Sequence, residues 1–349
     1  MIKQLKSLLV PAIALVISGA VFSACEKKEQ INEVYFTENC KVYRPTDQLT
    51  DTLRGEQIIE EASGAGKITS ADTILCMVTR DNEAMFALYN TRGDSLASIG
   101  VRGQGPNDFT VGWTSGQRFD NGDDVGIWIN DVNVGHLKGL NLSKSLREGK
   151  SIVDTTLMTD AMVTNAVVND GKIIDIVASG NNCALSVISA ADQTQIHREQ
   201  LFLMDLTPMF TAFYCDMVIS PDGRYLVLAM RALNEVNIID LNDYSRLTAT
   251  VGNVPVKDAV ADGKVYERSP TLSDRYIMTL CDNGADQSET EKRPGSLHIF
   301  DYQGNLIANV PLDRYLYSIT YVAKDNCIYA LDDNESVYRY PLDAIGLKR

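Results

Sequence analysis

Two stretches of this 349-residue chain spell fragments of enzyme chemistry. Gly93-Asp-Ser-Leu96 has the order of a lipase nucleophile block. A serine nucleophile needs an adjacent base held in place by a third group. None of His136, His197 and His298 has an Asp three positions before it, and the local pattern reads as a hairpin turn. Ser63-Gly-Ala-Gly-Lys-Ile-Thr69 suggests a phosphate loop, but position 61 is Glu61, Ile68 stands where a hydroxyl is needed, and a strand pattern follows. Gly100-Val-Arg-Gly-Gln-Gly105 runs into Pro106 with no helix start for a pyrophosphate. The three His are far apart and no pair has zinc-ligand spacing. Asp120–Asp124 and Asp282–Asp286 could offer oxygens to calcium, yet both lack the distal Glu of a calcium loop. The residues therefore nominate no catalytic group, no metal ligand and no cofactor.

Six cysteines follow Cys25, at positions 40, 76, 183, 215, 281 and 327, with no Cys-x-x-Cys pair among them. Cys76, Cys281 and Cys327 lie inside apolar runs and read as small buried hydrophobes.

The elements that hold these residues repeat. Asp72, Asp123, Asp170, Asp222, Asp274 and Asp325 each open or sit in a polar turn before a mostly apolar run, at intervals of 51, 47, 52, 52 and 51 residues. Such turns before β-formers are hairpin signals. A second marker ends a later strand in each repeat: Asn90, Asn141, Ser189, Asp240, Asp301 and Pro341. The offsets are 18, 18, 19, 18, 27 and 16, so the fifth repeat carries an insertion, Asp282–Gly295. Four short antiparallel strands per repeat of about 50 residues is the pattern of a propeller blade. The expected fold is all-β, a six-bladed β-propeller over residues 33–345. The sixth repeat ends after its third strand, so an N-terminal strand must close the last blade. Glu33–Tyr43 has strand character and is expected to do so, which would bring Cys40 toward Cys327 and permit a disulfide.

In such a ring the second-to-third strand loops and the inter-blade connections share one face. That face should carry Arg80, Arg102, Gln104, Asn130, Asp131, Asn181, Arg231, Arg268, Asp282 and Arg314. Several Arg could hold a carboxylate, since the guanidinium fork matches it. Trp113, Trp128 and the Tyr are read mostly as packing between blades, with a few free to stack on a sugar ring. The Asp282–Gly295 insertion should project there as a solvated loop and is the first candidate for a partner contact.

Residues 1–24 have a basic start, an apolar run from Leu8 to Phe22 and small residues before Cys25, the form of a secretory signal. Phe22-Ser23-Ala24-Cys25 looks like a bacterial lipobox, which implies acylation of Cys25, with 25–32 as a tether. This lipobox, the six repeats and Gly103-Gln-Gly-Pro-Asn-Asp-Phe109 together resemble the TolB-like six-bladed propeller lipoproteins of Bacteroidetes. Asn107 and Asp108 depart from that family's usual Gly-x-Gly-Pro-Gly-Glu-Phe element. The resemblance implies fold and an outer-membrane address more than an activity.

The balance of 32 basic against 46 acidic residues gives a net charge of -14, unsuited to nucleic acid. The expectation is a monomeric, lipid-anchored envelope module that binds a protein or glycan. The alternatives are a hydrolase or lyase using the central funnel, and a structural partner of an outer-membrane transporter.

Overall fold

The computed structural model describes residues 36–348 except 63, 81–82, 160–165, 180–181, 204–213, 253–263 and 287–291. The signal, Cys25 and the tether lie outside the described residues, as does Asn181. Two N-terminal strands come first, β1 (Cys40–Tyr43) and β2 (Glu56–Ile59). Blade one is β3 (Ala65–Ala71), β4 (Ile74–Thr79), β5 (Phe86–Asn90) and β6 (Ser95–Ile99). Blade two is β7 (Gly112–Asn121), β8 (Asp124–Asp131), β9 (His136–Asn141) and β10 (Val153–Met158), with helix α1 (Leu142–Glu148) before its last strand. Blade three is β11 (Ala166–Asn169), β12 (Lys172–Ser179), β13 (Asn182–Ser189) and β14 (Gln195–Gln200). Blade four is β15 (Cys215–Ile219), β16 (Tyr225–Met230), β17 (Glu235–Asp240) and β18 (Arg246–Val251). Blade five is β19 (Lys264–Leu272), β20 (Tyr276–Asp286), β21 (Ser296–Asp301) and β22 (Leu306–Pro311). Blade six is β23 (Ser318–Val322), β24 (Cys327–Leu331) and β25 (Val337–Pro341), completed by β2.

The fold is a six-bladed β-propeller with antiparallel four-stranded blades. Each repeating Asp falls in or beside the first hairpin of its blade, and each second marker ends the third strand. The turns need a left-handed residue: Asp72 and Asp170 have φ of 50° and 47°. The first strands of the blades line the channel, and apolar side chains of neighbouring blades form the cores between them, such as Val218, Val227 and Val236 of blade four against Ile277 and Phe300 of blade five.

The closing strand is not the one expected. Cys40–Tyr43 pairs in parallel with Thr248–Val251 and adds a fifth strand to blade four. Glu56–Ile59 runs antiparallel to Val337–Arg339 and closes blade six. Between them the chain crosses the rim of blade five, where Leu49 and Leu53 bridge to Asn309 and Leu312. Upstream, Phe36 is fully buried against Phe202 of the connection after blade three, ring centroids 5.7 Å apart. Residues 36–59 thus form a strap over the outer edges of blades four, five and six. The disulfide that the expected closure would have permitted is absent: Cys40 lies on blade four, Cys327 on blade six, and both are free thiols.

Candidate functional site

Every channel-lining strand begins at the same end of the ring, and its first residues form one mouth. β3 contributes Lys67, β7 Trp113, β15 Asp216 and β19 Arg268, while Arg231 follows β16 and Tyr317 precedes β23. Lys67 sits over the Trp113 ring at 5.2 Å from its centroid. Its nearest ion-pair partner is Asp216, a loose 3.9 Å away. Both side chains keep a little exposure, 12% and 15%. Burial pushes the Lys67 pKa down, and nearby Arg231 adds to this while Asp216 opposes it. Burial pushes Asp216 up, but Lys67 and Arg231 outweigh it and the carboxyl titrates below its ordinary value. Asp216 also accepts the Ser269 N–H at 2.8 Å. The Arg231 Nε is buried and has no hydrogen-bond partner among the described residues. Trp113, Tyr214 and Tyr317 are large rings exposed by 36%, 50% and 37%.

Arg268 and Asp282 stand beside this group but are committed to each other. Arg268 donates from Nε and Nη2 to both Asp282 oxygens, at 2.7 and 2.6 Å. It also donates to the Leu316 carbonyl at 2.5 Å and to the Tyr317 carbonyl, which locks blade five to blade six. The Arg268 side chain is 3% exposed and that of Asp282 is 6%, so Asp282 belongs to the packed strand and not to a solvated loop. The insertion begins as strand: Ala285 and Asp286 pair with Val265 and Lys264. Its residues 287–291 lie outside the described ones.

The remaining face residues divide differently. Asp131 is fully buried and accepts from the Thr110 N–H, the Thr110 hydroxyl, the Val111 N–H and Lys138 Nζ. Asn130 pairs with the backbone of Ala166, joining blade two to blade three. Arg102 and Gln104 are exposed on the loop of Gly103–Phe109. That loop clamps blades one and two: Phe109 is buried against Phe86, and Lys138 Nζ reaches the Asp108 carbonyl at 2.5 Å. Arg80 is exposed, and Arg314 pairs with Asp313 and lies 3.7 Å over the Tyr338 ring. Of the sequence candidates among the described residues, only Arg231, Arg268 and Asp282 meet at the mouth. Lys67, Asp216 and Trp113 complete the group and were not among them.

Below the mouth the channel narrows to about 10 Å³ beside Lys67, Asp216 and Gly116, room for about one water. It opens at the opposite end into a polar funnel of about 410 Å³ lined by Gln117, Asn169, Asp222, Thr271 and Thr320 among others. Several lining groups there are satisfied internally: Gln117 bonds Val168, Asn169 bonds Gly223, and Ser70 bonds Thr320. Gly93-Asp-Ser-Leu96 is the turn into β6 with Ser95 exposed, as its spacing implied.

No protein-family profile and no curated protein matches the chain. Solved structures do. An exported protein from Bacteroides fragilis, so assigned provisionally, is similar over 86% of this chain and 98% of its own, with 11% identity and a TM-score of 0.51. The extracellular domain of a proposed one-component system from B. thetaiotaomicron covers 79% of this chain at 16% identity and a TM-score of 0.47. The match spans 33% of that protein's chain, about a third of its length. Hydrazine synthase of Kuenenia stuttgartiensis covers 76% of this chain at 12% identity and a TM-score of 0.46. At these identities the likeness concerns the fold.

Proposed function

We propose that this chain is a membrane-tethered binding module of a bacterial envelope, and that its Lys67–Arg231–Trp113 mouth takes a carboxylate-bearing glycan. The observation that carries this reading is the pair of under-used cations. Lys67 holds Asp216 only at 3.9 Å, and the Arg231 Nε is buried without a partner. A buried donor left unbonded costs free energy that an incoming acceptor recovers. A carboxylate between the two cations satisfies both, with the guanidinium offering a planar fork. The partly exposed rings of Trp113 and Tyr317 lie beside it and are suited to a sugar ring. Phe22-Ser23-Ala24-Cys25 supports attachment through acylated Cys25 and an outer-membrane location. The rigid ring would act as a monomer.

Calorimetric titration of the full-length protein with an acidic oligogalacturonate and with its methyl ester tests this. The acid form should bind and the ester should not. Lys67→Met and Arg231→Met should each weaken binding about tenfold or more, since a charge-assisted hydrogen bond contributes roughly 1.5–3 kcal/mol. Equal binding of acid and ester, or unchanged affinity in both variants, would remove the proposal.

A further inference from the structure

A second polar cluster lies inside blade five. Glu267 on β19 is paired directly with Cys281 on β20, and His298 on β21 is paired with Thr279, two residues before Cys281. Glu267, Cys281 and His298 are 1%, 2% and 1% exposed. Alternation along the strands puts them on one face. Ile277 and Phe300 share that face and pack against Val218, Val227 and Val236, so the cluster points at blade four. His298 Nδ1 is 2.7 Å from Glu267 Oε1.

We infer that Glu267, Cys281 and His298 form a buried site for a thiolate-accepting divalent metal ion of the zinc type. The ligand atoms of the three side chains all lie within 4.8 Å of one another. Zinc bonds sulfur at about 2.3 Å and nitrogen or oxygen at about 2.0–2.2 Å, so tetrahedral ligand atoms stand about 3.3–3.8 Å apart. An ion enters by opening the His298–Glu267 contact and drawing the longer pairs inward, each by about 1 Å. One sulfur, one imidazole nitrogen and one carboxylate oxygen make a donor set suited to zinc, with water in the fourth position.

The surroundings fit a ligand set. The Thr279 hydroxyl donates to Glu267 Oε2 at 2.6 Å and aims the other oxygen at His298. The Asn283 N–H points at Cys281 Sγ from 3.4 Å, a donor placed for a sulfur carrying negative charge. Such outer contacts orient ligands and tune affinity. On binding, the Cys281 thiol proton leaves to solvent and the proton between His298 Nδ1 and Glu267 moves to the other imidazole nitrogen, which frees sulfur, nitrogen and oxygen to act as ligands. The site is separate from the mouth, although Glu267 and Cys281 directly precede Arg268 and Asp282 in sequence. A metal here would fix three strands of blade five from the face opposite the Arg268–Asp282 pair.

Reduced full-length protein loaded with Co²⁺ and with Zn²⁺ tests the inference. One equivalent of Co²⁺ should give a near-ultraviolet sulfur-to-cobalt band. The band should vanish in Cys281→Ser and His298→Gln and persist in Cys327→Ser. Glu267→Gln keeps a side chain able to bond Thr279 and His298, so its fold should survive while zinc affinity falls at least tenfold. Thr279→Val should lower affinity about 10–100-fold. If the wild type takes up no metal, or if Cys281→Ser and His298→Gln bind it unchanged, the cluster is a hydrogen-bonded network and the inference fails. Should those two variants not fold, Glu267→Gln decides alone, with unchanged zinc affinity overturning the site.

Discussion

Asp131, which the sequence nominates as a ligand-face residue, is committed to structure. It is buried with Lys138 at 3.0 Å, their side chains 0% and 6% exposed. Burial raises its pKa, but the Thr110 hydroxyl, the Val111 and Thr110 N–H groups and Lys138 together hold it below the ordinary 3.8. With the folded value below the unfolded one, this stabilisation is complete above the ordinary value. It is lost as pH falls through the folded value. Denaturant unfolding should therefore show the protein weakening below about pH 4. Asp131→Asn should cost about 3–5 kcal/mol at neutral pH, because Lys138 is left buried without its counter-charge, and should flatten the acid dependence. A variant as stable as wild type at pH 7 would contradict this. The sequence singled out Asp131, but not the Lys138 that returns to it from the next strand. Lys67 was hidden differently. It is the lysine of the failed phosphate loop Ser63–Thr69, and rejecting that motif removed it from view. Nothing linear links it to Asp216 or Arg231, which arrive from another blade. Glu267, Cys281 and His298 are likewise 14 and 17 residues apart, spacing that matches no ligand motif, and only strand register gathers them.

At the scale of elements, the blades were legible because each hairpin must spend specific turn residues, and these recur at nearly constant intervals. The strap was not legible, since pairing between distant edge strands leaves no local signature. Glu33–Tyr43 has the strand character that suggests a closing strand, yet Glu56-Gln-Ile-Ile59 closes the ring. Its end is wedged against blade one at Gly93, where φ is +89° and a Cβ would lie 2.2 Å from the Ile58 carbonyl oxygen. Gly93→Ala should cost about 1–3 kcal/mol in urea unfolding, from overpacking and a left-handed backbone together. An unchanged midpoint would show that the strap can retreat at no cost. The thiols report the same geometry. Burial, with some help from Glu235, pushes the Cys40 pKa up to about 12. Even so it is the least enclosed of the six, the other five being buried. Timed alkylation read by mass spectrometry should modify Cys40 first and find Cys327 free in the denatured chain. A Cys40–Cys327 linked peptide would refute the strap path.

At the scale of the molecule, closure by β2 is what makes six separate sheets a ring. Without it β25 would present an unpaired row of N–H and C=O groups, a template for another chain. Replacing Ile58 by Pro and Ile59 by Asp should open that edge, and size-exclusion chromatography should then show oligomers where the wild type gives one species. A monomeric double variant would mean that the apolar contacts between blades suffice. The same closure sets an order in time. Glu56 meets Arg339 across a separation of 283 residues, so a chain delivered amino end first cannot seal its ring until nearly all of it has emerged. The opening segment must wait, unpaired, through the building of every blade. A circular permutant that starts at residue 60 and carries 36–59 after residue 345 would bring the two partners far closer together in sequence. Because loop closure between distant contacts slows folding, that rearranged chain should refold faster than the natural one to the same structure.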